Sequence, residues 1–312
     1  MPRQIATKLH LGLGAAFGVL LLVCASAPAQ QARRTATPDA FQRGVERYQN
    51  GDLPGALAAF EQAIKDFAAV VPAVPIGREP QAESGTDPAT LYYWRGLVRY
   101  DWREWDAALR DFEQALRYAP RHLAAAIKRG NARMNTGDYE AARNDYSRAI
   151  TLDPQSALAW NNRGLAWLNL AEYDAALNDF NQALALDPQS VAALNNRAGV
   201  KQDQFDLEGA LRDYDRAIAL APSAPQLYNN RGLARKVYGD LPGALADYTQ
   251  AIKLRPDFKL AYFNRSAVYK ALGKAAEAAA DFQQSLRLGE WPASQYEAPL
   301  EPPLAHVKPS KP

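Results

Sequence analysis

The sequence is short of the residues on which most enzymes depend. It has 1 cysteine and 3 histidines in 312 residues. The cysteine, Cys24, lies in the first apolar segment, and the histidines stand far apart at His10, His122 and His306. No His/Cys/carboxylate cluster has metal-ligand spacing, so neither a structural nor a catalytic metal is expected. No histidine accompanies a serine or cysteine as the base of a nucleophile, and no cofactor motif stands in a credible context. The glycine run in "GLGAAFG" follows no strand and lies within the leader-like segment. The chain is therefore expected not to be an enzyme and to carry no cofactor. It also lacks a dominant charge: 36 basic and 34 acidic residues leave a net charge of +2. No large field draws it to nucleic acid.

The only long apolar run, Leu11 to Val23, follows Arg3 and Lys8 and precedes Ala27-Pro28-Ala29. A basic start, an apolar middle and a small-residue cleavage site make residues 1–29 a secretory signal peptide, with the mature chain starting at Gln30. The expected location is exported, periplasmic or extracellular, with no membrane insertion after cleavage. The alternative is a membrane anchor retained in the same segment. Cys24 is preceded by Val23, too bulky for the usual lipoprotein cleavage, although lipidation remains the second reading. A mature chain without cysteine must be held by packing alone.

What the sequence has in abundance is self-similarity. "NNRG" at 161–164 returns at 229–232, with "NNRA" at 195–198 between them, a step of 34 residues each time. The whole chain lines up on that step as units 37–70, 89–122, 123–156, 157–190, 191–224, 225–258 and 259–292. A Pro-rich insertion at 71–88 interrupts the series, and a Pro-rich tail expected to be disordered follows at 293–312. Pro72, Pro75, Pro80 and Pro88 are expected to keep the insertion extended. A period of this length marks stacked repeats.

Each recurring residue has a physical reason. Unit position 8 is small, as at Gly96 and Gly164, position 20 is always alanine, as at Ala176, and position 27 is alanine or serine. Position 24 is always aromatic, as at Phe112, Tyr146 and Phe180. Two helices approach closely only where side chains are small, and a ring fills the space beside the crossing. "GD" at 51–52, 137–138 and 239–240 makes a turn, and proline at position 32 ends the second helix. Each unit therefore reads as helix–turn–helix.

This pattern resembles the tetratricopeptide repeat family over residues 37–292, best in 157–190 through Trp160, Gly164, Ala176, Phe180, Ala183 and Pro188. The resemblance implies an all-α, right-handed superhelical solenoid of about seven units. The first helix of each pair would line a concave groove. Position 11, often aromatic in the family, is instead Arg47, Arg99, Arg133, Lys201 and Arg235, which leaves the packing there open.

Two polar series stand out. Position 7 is arginine throughout, and position 23 is aspartate in six units. The matched residues are Arg95 and Asp111, Arg129 and Asp145, Arg163 and Asp179, Arg197 and Asp213, Arg231 and Asp247, and Arg265 and Asp281. Matched occurrence favours internal bidentate pairs over a row of anion-binding arginines. Arg43 faces Ala59 and has no such partner. The second series is Asn162, Asn196, Asn230 and Asn264 at position 6, on the groove side. Asparagine is a poor helix-interior residue, and its amide offers both donor and acceptor. One reading is a ladder that holds a peptide backbone and supports no core contact; the other is a solvated variant of the repeat. Tyr93 and Trp94 replace the amide pair in unit 2, with Leu97 and Tyr100 one and two turns on. They form either an exposed aromatic anchor or a surface beneath the insertion. The function expected is an exported scaffold that binds an extended segment of an envelope or secreted protein in its groove, with homo-oligomers possible. The alternative is a structural spacer or self-assembling module with no peptide ligand.

Overall fold

The computed structural model describes residues 39–70 and 87–289. The expected signal peptide, the tail from 293 and nearly all of the insertion lie outside these residues. The described residues form fourteen helices and no strand. They pair as α1 (39–49) with α2 (Leu53–Val70), and α3 (Pro88–Asp101) with α4 (Trp105–Tyr118). Next come α5 (Leu123–Thr136) with α6 (Tyr139–Leu152), and α7 (Ala157–Asn169) with α8 (Tyr173–Leu186). Then follow α9 (Val191–Asp203) with α10 (Leu207–Leu220), α11 (Pro225–Tyr238) with α12 (Leu241–Leu254), and α13 (Lys259–Ala271) with α14 (Ala275–Arg287). The chain is an all-α solenoid of helical repeats.

Pro88 departs from expectation. It opens α3 instead of extending the insertion, because the missing N–H costs nothing in a helix's first turn. Asp87 caps that helix by accepting from the Thr90 N–H at 3.0 Å.

Small residues set the helix spacing. A Cβ added to Gly164 would stand 2.6 Å from the Phe180 ring, so any side chain there would force the pair apart. Phe60, Phe112, Tyr146, Phe180, Tyr214 and Tyr248 are buried beside such positions, with the alanines of position 20. Each first helix from α3 onward touches the next first helix, whereas no second helix touches the next second helix. The first helices therefore crowd the inside of a curved stack, and their exposed faces form its hollow.

The turn within each unit needs one residue in left-handed geometry. Gly137 and Gly239 supply it at φ 81° and 93°, as the "GD" pattern predicts. Arg103, Ala171 and Phe205 adopt the same conformation with φ of 61°, 60° and 63°. No described helix is long and apolar enough to cross a membrane.

Candidate functional site

The arginine series is tied into the scaffold. Arg95 reaches Asp111 at 2.6 Å, Arg129 reaches Asp145 at 2.5 Å, and Arg163 reaches Asp179 at 2.7 Å. Arg197, Arg231 and Arg265 reach Asp213, Asp247 and Asp281, each at 2.6 Å. In each pair the guanidinium gives Nε and Nη2 to the two carboxylate oxygens, the fork geometry that only arginine provides. The six aspartates are buried. The cations of position 11 finish the arrangement. Arg99, Arg133, Lys201 and Arg235 each give a second bond to the same aspartate, at 2.8–2.9 Å. Burial raises the Asp213 pKa, but the hydrogen bonds from Arg197 and Lys201 outweigh it and hold the carboxyl below its usual range. Arg163 and Arg265, whose units have Trp167 and Tyr269 at position 11, also bond Ser147 and Thr249 of the preceding unit. Arg43 is exposed and has no bond to another described residue.

The asparagines are engaged as well, which corrects the expectation that their side chains support no scaffold contact. Asn264 Nδ2 donates to Asn229 Oδ1 at 3.0 Å, and Asn229 Nδ2 to Asn230 Oδ1 at 3.3 Å. Asn230 donates to Asn195 at 2.9 Å, and Asn195 to Asn196 at 3.4 Å. Asn196 donates to Asn161 at 3.0 Å, and Asn161 to Asn162 at 3.1 Å. Asn162 then donates to Asn131 Oδ1 at 3.1 Å. Every bond points the same way. The relay crosses four unit boundaries: at three of them position 6 of one unit reaches position 5 of the unit before, and at the fourth Asn162 reaches Asn131 at position 9.

The relay ends at Asn131, whose Oδ1 accepts from both Asn162 and the Tyr146 hydroxyl at 2.7 Å. Its Nδ2 has no acceptor among the described residues. Around it opens a cleft of about 200 Å³ lined by Tyr100, Asn131, Met134, Asn135, Tyr146, Asn162 and Leu165. These residues come from α3, α5, α6 and α7, so the cleft opens in the hollow where three first helices meet. Asn135 donates to the Tyr100 hydroxyl at 3.1 Å. Burial raises the pKa of the Tyr100 and Tyr146 phenols, which keeps both hydroxyls protonated. Lys128 stands over the Tyr100 ring, 5.3 Å from its centre.

The aromatic end differs from the open strip expected. Trp94 is half-buried, edge-on to Phe41, Tyr48 and Tyr93 at 6.2, 5.8 and 6.4 Å, and stacked on Phe60 at 6.1 Å. It fills the joint between units 1 and 2. Leu97 is 7% exposed and packs with Ala108, Phe112 and Ala132, so it belongs to the core between α3, α4 and α5. Tyr93 lies 4.8 Å from the His122 ring. Of that group, only Tyr100 lines the cleft. Sequence reasoning passed over Asn131, although it is an asparagine one turn beyond Lys128, which occupies position 6 in its own unit. No group of three metal-ligating side chains occurs among the described residues.

Comparison with known proteins matches this architecture. Sequence profiles of the tetratricopeptide repeat match residues 127–191, 168–225 and 260–288, and a TPR-repeat profile matches 238–273. Among solved structures, the chain is similar to a tetratricopeptide repeat protein from Parabacteroides merdae, at 21% identity and a TM-score of 0.66, covering 82% of this chain and 94% of that one. It is similar to PilW, described as a type IV pilus biogenesis factor, at 20% identity and a TM-score of 0.60, covering 64% and 93%. It is also similar to the Cut9–Hcn1 assembly of the APC/C, at 16% identity and a TM-score of 0.61, covering 83% and 51%. At these identities the likeness is one of fold. No curated protein sequence matches the chain.

Proposed function

We infer the function from one premise: the chain belongs to the tetratricopeptide repeat family. Stacked helical repeats present long curved faces as binding surfaces, and the chain is a protein-interaction scaffold. The finer reading is that it is exported and holds an extended segment of an envelope or secreted protein in its hollow. Export rests on the three-part plan of residues 1–29. It is tested by N-terminal sequencing of the mature protein, which is expected to begin at Gln30.

One observation carries the groove reading: the amide relay stops at Asn131 with its N–H donors unused, at the mouth of an apolar-walled cleft. A peptide carbonyl would accept from Asn131 Nδ2. The neighbouring side chain would seat between Met134, Leu165 and Tyr100. The rest of the segment would follow the hollow beside half-buried Asn162, Asn196 and Asn230, which keep one N–H each beyond the relay. The rival reading, a spacer with no ligand, draws support from the same relay, because amides that bond one another serve the stack. Selection of peptides from a random library on the mature chain separates the two. Under the groove reading, selected peptides lose binding to Met134→Trp, which fills the cleft, and bind Asn131→Ala more weakly. Peptides that hold equally well to the filled variant overturn it.

A further inference from the structure

The turns that join the two helices of each unit lie along one edge of the stack, away from the hollow. Ten large apolar side chains stand exposed among the described residues, and six of them are on or beside this edge: Trp102, Tyr173, Phe205, Val237, Tyr238 and Leu272. Phe205 is the most exposed of all, at 69%. It also holds the left-handed conformation at φ 63°, where Gly51, Gly137, Gly239 and Gly273 stand in other units. A bulky residue is strained there, and glycine is not. The scaffold gains nothing visible in return, since among the described residues the ring makes no aromatic contact and joins no core cluster. A side chain kept at two costs, backbone strain and exposure, points to a use outside the chain.

The two turn segments beside it carry charge of one sign. Residues 170–174 and 204–208 hold Glu172, Asp174, Asp206 and Glu208 and no cation. Gln204 Nε2 donates to Asp174 Oδ1 at 3.1 Å, which ties the two turns into one patch. Asp206 caps α10 through the Gly209 N–H at 3.0 Å, and Glu208 stands 3.9 Å from Arg212 in an exposed pair. Glu172 and Asp174 have no ion pair among the described residues.

We propose that the turn edge of units 4 and 5 docks a basic segment of a partner protein, one in which lysine or arginine alternates with apolar side chains. The carboxylates select the charge. The Phe205 ring offers its face to a cation and its edge to an aliphatic chain. The edge is distinct from the hollow, so both can be occupied together.

The test uses the mature chain and two dye-labelled synthetic peptides, one alternating lysine with leucine and the other glutamate with leucine. Anisotropy is expected to show the lysine peptide binding at least about 10-fold more tightly, with the difference shrinking as salt rises. Phe205→Gly is expected to weaken the lysine peptide about 10-fold, as loss of an aromatic anchor does. The same change raises the thermal midpoint by about 2–4 °C, because glycine relieves the turn. Glu172→Gln with Asp174→Asn lowers both the affinity and its salt dependence, while Met134→Trp leaves binding intact. Equal binding of the two peptides, or binding indifferent to Phe205→Gly, overturns the proposal. So does a dimer in sedimentation that Phe205→Gly dissolves, since the edge would then belong to a second copy.

Discussion

Replacing Asn229 with alanine tests whether the amide relay holds the stack together. Asn229 is 2% exposed and is the second member of the relay, next to its Asn264 end. It accepts from Asn264 at 3.0 Å and donates to Asn230 at 3.3 Å. Two neutral hydrogen bonds contribute about 1 kcal/mol each. The buried Asn264 amide is left with a donor that has lost its acceptor, which costs about 1–2 kcal/mol more. Alanine returns about 0.6 kcal/mol through its better helix propensity. The net loss is about 2.5–3.5 kcal/mol. In a stacked array such a loss is local, so it falls on the joint between units 6 and 7. Urea unfolding followed by circular dichroism gives the size, and hydrogen exchange gives the place, with the amides of α13 and α14 opening first. Asn264→Ala in the same chain adds about 1 kcal/mol less than it does alone, since the two residues share one bond. A loss under about 0.5 kcal/mol with unchanged exchange in α13 and α14 would refute the reasoning and return these asparagines to solvent.

Arg163→Ala is expected to cost about 2–4 kcal/mol, because Asp179 would be left buried without its fork partner; a urea series that gives near zero contradicts the buried pair. Two tyrosines at the same unit position are expected to respond with opposite sign. Tyr146→Phe loses the bond to Asn131 and about 1 kcal/mol, whereas Tyr248→Phe removes a buried hydroxyl with no partner among the described residues and gains about 1 kcal/mol. Thermal melts of the two variants check this. His122 accepts the Ala125 N–H on Nδ1 at 3.2 Å as the cap of α5, and burial lowers its pKa against the opposing charge of Asp87. Its folded pKa lies below the unfolded value of about 6.5, so its contribution is full above that pH and declines as pH falls below it. Melts between pH 7 and pH 5 are expected to show this decline, and His122→Asn, a cap that does not titrate, should flatten it.

The fold is legible in the sequence because the packing rule is local and repeated. A small residue at position 8 and a ring at position 24 must meet in every hairpin, and one hairpin shows it as well as seven do. The Arg–Asp pairs are legible for the same reason: both partners recur in one unit, sixteen residues apart. The amides are not. Their bonds join position 6 of one unit to position 5 of the previous one, thirty-five residues away, and "NNRG" within a unit does not reveal which neighbour each amide meets. The position 11 cations read as a departure from aromatic packing because their role is to complete the neutralisation of an aspartate on the other helix. Leu97 shares the face that suggested a groove wall, but the ring of Phe112 and the next first helix close over it. The backbone cost at Phe205 cannot be read from residue type, since "FD" at 205–206 stands where "GD" stands elsewhere and only the φ angle shows that the turn is unchanged.

The central claim is that the cleft at the end of the amide relay holds an extended peptide. The most direct measurement places a photoreactive aliphatic diazirine amino acid, close to methionine in size and so leaving the cleft open, at Met134 in the chain expressed in its own cells. The same group at Leu158, an exposed position outside the cleft, serves as the control. Irradiation followed by mass spectrometry identifies what each position touches. The account predicts that position 134 crosslinks to one short segment of a protein partner, that position 158 does not, and that Asn131→Ala weakens the crosslink. Equal crosslinking from both positions, or water as the only neighbour at 134, would contradict it.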